Sequence, residues 1–261
     1  MPLDRVPGGG TVIGTQAARL APADGYTLLF QGSALITNIL SLKQPGYELA
    51  DFTPVGILAN SKIVLMAPLK PHLAGVKDLV AYAKTNPGVL NYATLGRGTV
   101  SHSMGHRFSR AAKFDWVDIP YKGAVEASNA VLAGDADAFF ASQFAAHALA
   151  QTGKAKLLAV ASKERVDTLP DVPTFEELGY PDMNDDGGPY VIFVRSLTPA
   201  PIIQKLRNAF QAAVDAESFK TRRNAQGLSA YTGTVEQFET EFTALRIRLT
   251  DEFKQLGITP Q

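Results

Sequence analysis

His102 and His106 stand four residues apart in a stretch with helical spacing, which would put both imidazoles on one helix face. Two histidines so placed make half of a metal site. The intervening residues are Ser103, Met104 and Gly105, so the glutamate that a zinc hydrolase carries between its histidines is missing. Solvated or hydrogen-bonded histidines are the more ordinary outcome. Ser101 adjoins His102, but neighbouring side chains on a helix point apart, so the two do not form a nucleophile and its base. No Gly-x-Ser-x-Gly elbow occurs, and Asp185-Asp186 are sequence neighbours in a polar loop, where solvated charge is expected. The absence of cysteine excludes disulfides, thiolate metal sites and thiol nucleophiles. These residues assemble no catalytic set and at most half of a metal site, so the chain does not read as an enzyme.

Glycine-rich loops are the other source of chemistry. Pro7-Gly8-Gly9-Gly10-Thr11-Val12-Ile13-Gly14 looks like a phosphate loop, yet Gly8-x-Gly10 is followed by Gly14 rather than by a glycine at position 13. No strand precedes it and no Gly-Lys-Ser/Thr follows, so it reads as a turn into a helix. Tyr92 to His102 differs, because here a strand passes through Gly96-Arg97-Gly98-Thr99 into a helix start. The free N–H groups of a first helical turn, aided by the helix dipole, make a ready anion site. Thr99 and Ser101 would add hydroxyl donors and Arg97 a positive charge. Ordinary capping by Thr99 accounts for the same residues, and chemistry alone leaves the two readings level.

Positioning these residues requires an alternating framework. Tyr26–Phe30, Val55–Ala59, Ile63–Ala67, Leu90–Thr94, Trp116–Ile119, Ala138–Ala141, Leu157–Val160 and Tyr190–Val194 read as strands, with helix-like segments between most of them. This predicts an α/β architecture with largely parallel strands and both sheet faces covered. Gly75–Lys84 keeps helical spacing through Val76, Leu79, Val80 and Ala83. Capping boxes at Thr174–Glu177 and Thr234–Gln237 announce further helices. The helix after Pro199 is expected to bury Ile203, Leu206, Phe210 and Val214, and the last helix carries Phe238, Phe242, Leu245, Leu249, Phe253 and Leu256 on one face. Two such helices at the C-terminus must cover a sheet made earlier, so the chain leaves its first lobe and returns to it. At 261 residues there is room for two lobes, and 25 basic residues balance 25 acidic ones, which is no signature of nucleic-acid binding. No transmembrane run appears, and no apolar segment follows Met1–Arg5 to make a signal peptide.

Several motifs fall in a specific order: Ala21-Pro22-Ala23-Asp24-Gly25-Tyr26-Thr27-Leu28-Leu29, Asp51-Phe52-Thr53-Pro54-Val55, Pro87–Ala93, Gly96–His102, Pro120-Tyr121-Lys122-Gly123 and Leu169-Pro170-Asp171-Val172-Pro173-Thr174. Together, and over essentially the whole chain, they closely resemble the solute receptors of tripartite tricarboxylate transporters, the Bug family. The resemblance implies a type II periplasmic-binding-protein fold with lobe 1 over 1–88 and 188–261, lobe 2 over 89–187, and a ligand cleft between them. It implies a monomeric periplasmic receptor that captures a small carboxylate, often a dicarboxylate, and delivers it to membrane permease subunits without a cofactor. Gly96, Arg97, Gly98, Thr99, Ser101 and His102 match the family's carboxylate-cradling loop. Gln31, Ser33 and Ala34 occupy the place of a first-lobe cleft loop, and Tyr121, Lys122, Gly123, Ser142 and Gln143 that of further second-lobe loops. Asp186, with Asp185, lies near the expected cleft mouth and suggests a ligand with a cationic or amide end.

By the same comparison, Pro7–Gly14 is the non-binding glycine stretch of the family. The expectation is then that the export signal, the first βαβ unit and the first-lobe carboxylate loop are missing from this chain. Two readings follow. One is a competent receptor, favoured by the intact Gly96–His102 loop; the other is a truncated or regulatory homologue that keeps the fold without ligand capture. Lobe closure in a competent receptor would hinge near Val89–Ala93 and Gly187-Gly188.

Overall fold

The computed structural model describes residues 4, 6, 8, 11–184, 188–255 and 257–260. It divides into two compact units, the first of residues 1–59, 189–222 and 230–261, the second of residues 60–188 and 223–229.

In the first unit, α1 (Val12–Leu20), β1 (Leu29–Gln31), α2 (Ala34–Ser41) and β2 (Phe52–Asn60) come first in the chain. The chain returns with β8 (Pro189–Arg195), α7 (Ala200–Asp215), α8 (Glu217–Ala225) and α9 (Val235–Gln255). The strands form a sheet of order β1-β8-β2, with β1 antiparallel to β8. Successive strand side chains point to opposite faces, and β8 shows the consequence. Val191 and Phe193 join Val12, Leu35 and Phe238 on one face, whereas Ile192 and Val194 join Val55 and the α7 residues Ile203, Leu206 and Phe210 on the other. The C-terminal helices thus cover the sheet as expected, although α7 buries none of its residues fully. Thr234 and Gln237 form the reciprocal capping pair that opens α9, at 2.7 and 3.2 Å.

In the second unit, β3 (Ile63–Pro68), α3 (Val76–Thr85), β4 (Asn91–Thr94), α4 (Val100–Ala112), β5 (Val117–Pro120), α5 (Ala124–Ala133), β6 (Ala138–Ser142), α6 (Gln143–Ala150) and β7 (Ala155–Val160) follow in order. Their sheet has the order β5-β4-β6-β3-β7. Leu65, Tyr92 and Phe140 face α3 and α4, where Leu79, Met104 and Phe108 pack on them. Val64, Ala93 and Phe139 face α5 and α6, with Ala127, Val131 and Ala146. Burial on both faces explains why β3 and β6 read as continuous apolar runs.

The expectation of largely parallel strands needs correction at β3. β4 is parallel to β5 and β6, but β3 is antiparallel to both β6 and β7. No helix separates β3 from β2. β3 continues directly from β2, entering beside the end of β6, where the Gln143 N–H donates to Lys62 O at 2.7 Å. Residues 60–88, placed in the first lobe by the sequence reading, therefore lie in the second unit, where β3 sits between β6 and β7. The chain passes between units after residues 59, 188, 222 and 229, so β4, near which a hinge was expected, is interior to the second unit.

One contact seats α4. A β-carbon built on Gly105 would fall inside the Tyr92 ring, and the carbonyl of Gly105 accepts from Trp116 Nε1 at 3.2 Å. Tyr92 and Trp116 stack at 4.4 Å between ring centroids. Gly105→Ala should lower the stability of this unit by about 1–3 kcal/mol, the usual cost of overpacking. Trp116 is the only tryptophan in the chain, so its fluorescence in a urea titration reads this unit directly. An unchanged midpoint would show that the ring and helix part without cost.

Candidate functional site

The parallel strands β5, β4 and β6 lie side by side and end at one sheet edge. Each runs directly into a helix, so the amino termini of α5, α4 and α6 gather there. In α/β sheets this carboxyl edge is where ligands bind, because unpaired helical N–H groups are presented together.

The loop from β4 to α4 is the most elaborated of the three. Gly96 and Gly98 have φ of +103° and +81°, a backbone state that disfavours side chains and explains both glycines. Leu95 N–H donates to Ser101 Oγ at 3.0 Å, Ser101 and Thr99 share a hydroxyl hydrogen bond of 3.1 Å, and Thr99 Oγ1 donates to Gly96 O at 2.6 Å. Thr94 joins the scaffold: its hydroxyl accepts from Gly96 N–H at 3.3 Å and its carbonyl from Tyr121 N–H at 2.8 Å. The hydroxyls of Thr99 and Ser101 are thus engaged inside the loop, and Thr99 makes no side-chain cap of α4. What they do is hold the α4 amino terminus in shape.

His102 sits in the first turn of α4. Its Nδ1, like that of His106, is buried without a hydrogen-bond partner among the described residues. Burial pushes the His102 imidazole below its usual 6.5; Asp118 on β5 pulls it up, while His106 and Arg97 push it further down. Burial, with help from Asp118, raises the Tyr92 phenol, whose hydroxyl donates to His102 O at 3.4 Å. Asp118 gave no signal in the sequence, because its proximity to His102 depends on β5 lying beside β4.

The remaining expected residues divide between the units. Tyr121, half-buried, leans on the face that carries Ala127. Gly123 precedes α5, and Lys122 N–H donates to Glu126 Oε2 at 3.0 Å, a capping contact that the sequence reading passed over. Ser142 caps α6, its hydroxyl accepting from Ala145 N–H at 3.4 Å. Gln143 is wholly buried: its Oε1 accepts from Lys62 N–H at 3.0 Å and its Nε2 donates to Thr168 Oγ1 at 2.9 Å. Gln31, Ser33 and Ala34 belong to the first unit. There Gln31 Nε2 donates to Thr11 Oγ1 at 2.7 Å and its Oε1 accepts from Gly32 N–H at 3.0 Å, while Ser33 and Ala34 open α2. In the Pro7–Gly14 stretch, among the described residues, Thr11 N–H donates to Gly8 O at 3.1 Å just ahead of α1. Asp185 and Asp186 lie outside the described residues.

Residues 3–247 match the Tripartite tricarboxylate transporter family receptor. The chain belongs to this family. It is similar to the structure titled "R. palustris Rpa4515 with adipate", with 25% identity, a TM-score of 0.88 and coverage of 96% of this chain and 84% of that one. It is likewise similar to the periplasmic binding protein BugD, with 29% identity and a TM-score of 0.85 over 97% of this chain and 86% of BugD. MatC from Rhodopseudomonas palustris, solved with bound malate, is 25% identical with a TM-score of 0.80 over 94% of this chain and 85% of MatC. The fold is therefore the two-lobed type II periplasmic-binding-protein fold, and the family is one of solute-binding receptors rather than enzymes.

The lowered pKa of His102 carries a sign that can be tested. The unfolded chain takes up the proton first, so stability is lost as pH falls from 6.5 through the lower folded value. His102→Gln should flatten that decline in a urea-midpoint series, leaving only the losses at more acid pH where Glu177 and Glu236 titrate below 4.5. A parallel decline in wild type and variant would contradict the assignment.

Proposed function

We propose that this protein is a periplasmic solute receptor that binds a small carboxylate, a dicarboxylate in the first place, and delivers it as a monomer to the membrane permease of a tripartite transporter. The observation that carries the reading is the α4 amino terminus. A glycine-shaped loop, braced by its own hydroxyls, presents first-turn N–H groups at a carboxyl edge, with Arg97 in the same loop. Charge-assisted bonds from backbone N–H and guanidinium groups to a carboxylate are the strong ones, and they need no catalytic apparatus. Adipate and malate in the neighbouring structures support the carboxylate class. Tyr121–Gly123 and the first turns of α5 and α6 border the same edge and extend the proposed binding surface on this unit.

A thermal-shift series at constant ionic strength tests this. Adipate or malate at a hundred times its dissociation constant should add about 2.7 kcal/mol of stability and raise the melting temperature. Gly96→Val puts a β-branched residue at φ +103°, so the ligand-induced shift should disappear while the unliganded protein still melts cooperatively. A full shift in the variant, or no shift in wild type with any dicarboxylate, would overturn the proposal.

A further inference from the structure

Gln143, the first residue of α6, is 0% exposed, and it ties together two stretches of chain far apart in sequence. Towards Lys62, its Oε1 accepts the backbone N–H at 3.0 Å and its own N–H donates to the carbonyl at 2.7 Å. On the other side, Nε2 donates to Thr168 Oγ1 at 2.9 Å and reaches Ser229 Oγ at 3.5 Å. The Thr168 hydroxyl in turn donates to Gly227 O at 3.0 Å. The two stretches also hold each other: Asn60 N–H donates to Ser229 O at 2.9 Å, and Ser229 N–H to Asn60 O at 3.2 Å. One turn further along α6, the His147 ring lies against Gly227, where an added β-carbon would come to 2.5 Å from its Cγ.

The chain first enters this unit after residue 59 and leaves it for the last time after residue 229. Both passages are therefore fastened, through one buried amide, to the amino terminus of a helix that starts at the carboxyl edge. An amide suits the position, because it accepts from an N–H on one side and donates to hydroxyls on the other. We infer that Gln143 is a positioning residue that transmits ligand occupancy at this edge to the two passages, an inference that rests on the carboxylate reading above. A ligand held against the first turns of α4 and α6 restrains the α6 terminus. Separating Asn60 from Ser229 pulls on both sides of the Gln143 amide, so this local opening becomes rarer once that terminus is restrained.

Amide hydrogen exchange with and without adipate or malate, at concentrations that calorimetry shows to be saturating, reads this coupling. In wild type, ligand should slow exchange across residues 96–102. It should also slow the segments 58–64 and 225–231 by about fivefold, the lower end of coupling between sites. Gln143→Met keeps the length of the side chain but neither accepts from Lys62 N–H nor donates to Thr168, and should lose most of the slowing at both segments. Thr168→Val cuts only the arm to Gly227, and should lose most of it at 225–231 while 96–102 stays protected. The ratio with and without ligand is the readout, since a merely structural residue would change both exchange rates alike. If Gln143→Met does not fold, Thr168→Val decides. Protection at 96–102 with no slowing at the two segments, or variants that respond as wild type does, would overturn the inference and leave the carboxylate reading standing. No ligand-dependent slowing anywhere in wild type would remove the carboxylate reading, and this inference with it.

Discussion

The close approach of α4 to β4 at Gly105 governs the geometry of the second unit. Without a side chain there, the helix backbone lies on the Tyr92 ring, Trp116 stacks behind it, and the Gly105 carbonyl is held by the indole N–H. Phe108, fully buried, then meets Phe114, Trp116, Phe140, Phe175 and Tyr180 at centroid distances between 5.3 and 6.2 Å. An anchored helix body gives its amino terminus a fixed position against the neighbouring strand ends. Binding by backbone N–H groups depends on that fixity, because such donors have no side-chain freedom with which to follow a misplaced ligand.

The helix terminus and Arg97 favour negative charge, while burial holds the His102 imidazole below its usual range against the pull of Asp118. The hydroxyls that could have offered adaptable donors are consumed in bracing the loop. At the opposite end of the sheet, Asp137 binds Lys70 at 2.8 Å and Asn91 N–H at 3.1 Å, so β4 is held where it begins as well as where it ends. The strand therefore delivers the loop from a clamped position.

Much of this was legible from local pattern. Strand positions followed from apolar runs, and the Thr234–Gln237 capping pair marked the start of α9. What escaped depended on distant partners. Thr174 and Glu177 do form reciprocal hydrogen bonds, at 3.0 and 3.3 Å, yet Thr174 also bridges to Val160, so the segment finishes the β7 edge as a turn instead of opening a helix. The strand expected from Tyr26 begins only at Leu29, because Asp24 Oδ1 accepts the Tyr26 N–H and Gly25 turns the chain at φ +82°. β3 was expected in the first lobe with the rest of residues 1–88, and only its pairing with β6 and β7 places it in the second unit. Within the site, the loop motif was visible, but the inward use of Thr99, Ser101 and Gln143 was not. Hydroxyls and amides read as donors to a ligand until their partners inside the fold are known.

Amide hydrogen exchange measured with and without a saturating dicarboxylate addresses the central claim, that the α4 amino terminus holds the carboxylate. Ligand should slow exchange most strongly across residues 96–102, with a smaller effect at the first turns of α5 and α6 and little change at α3 or β7. Protection concentrated elsewhere, in a protein shown by calorimetry to be saturated, would contradict the account.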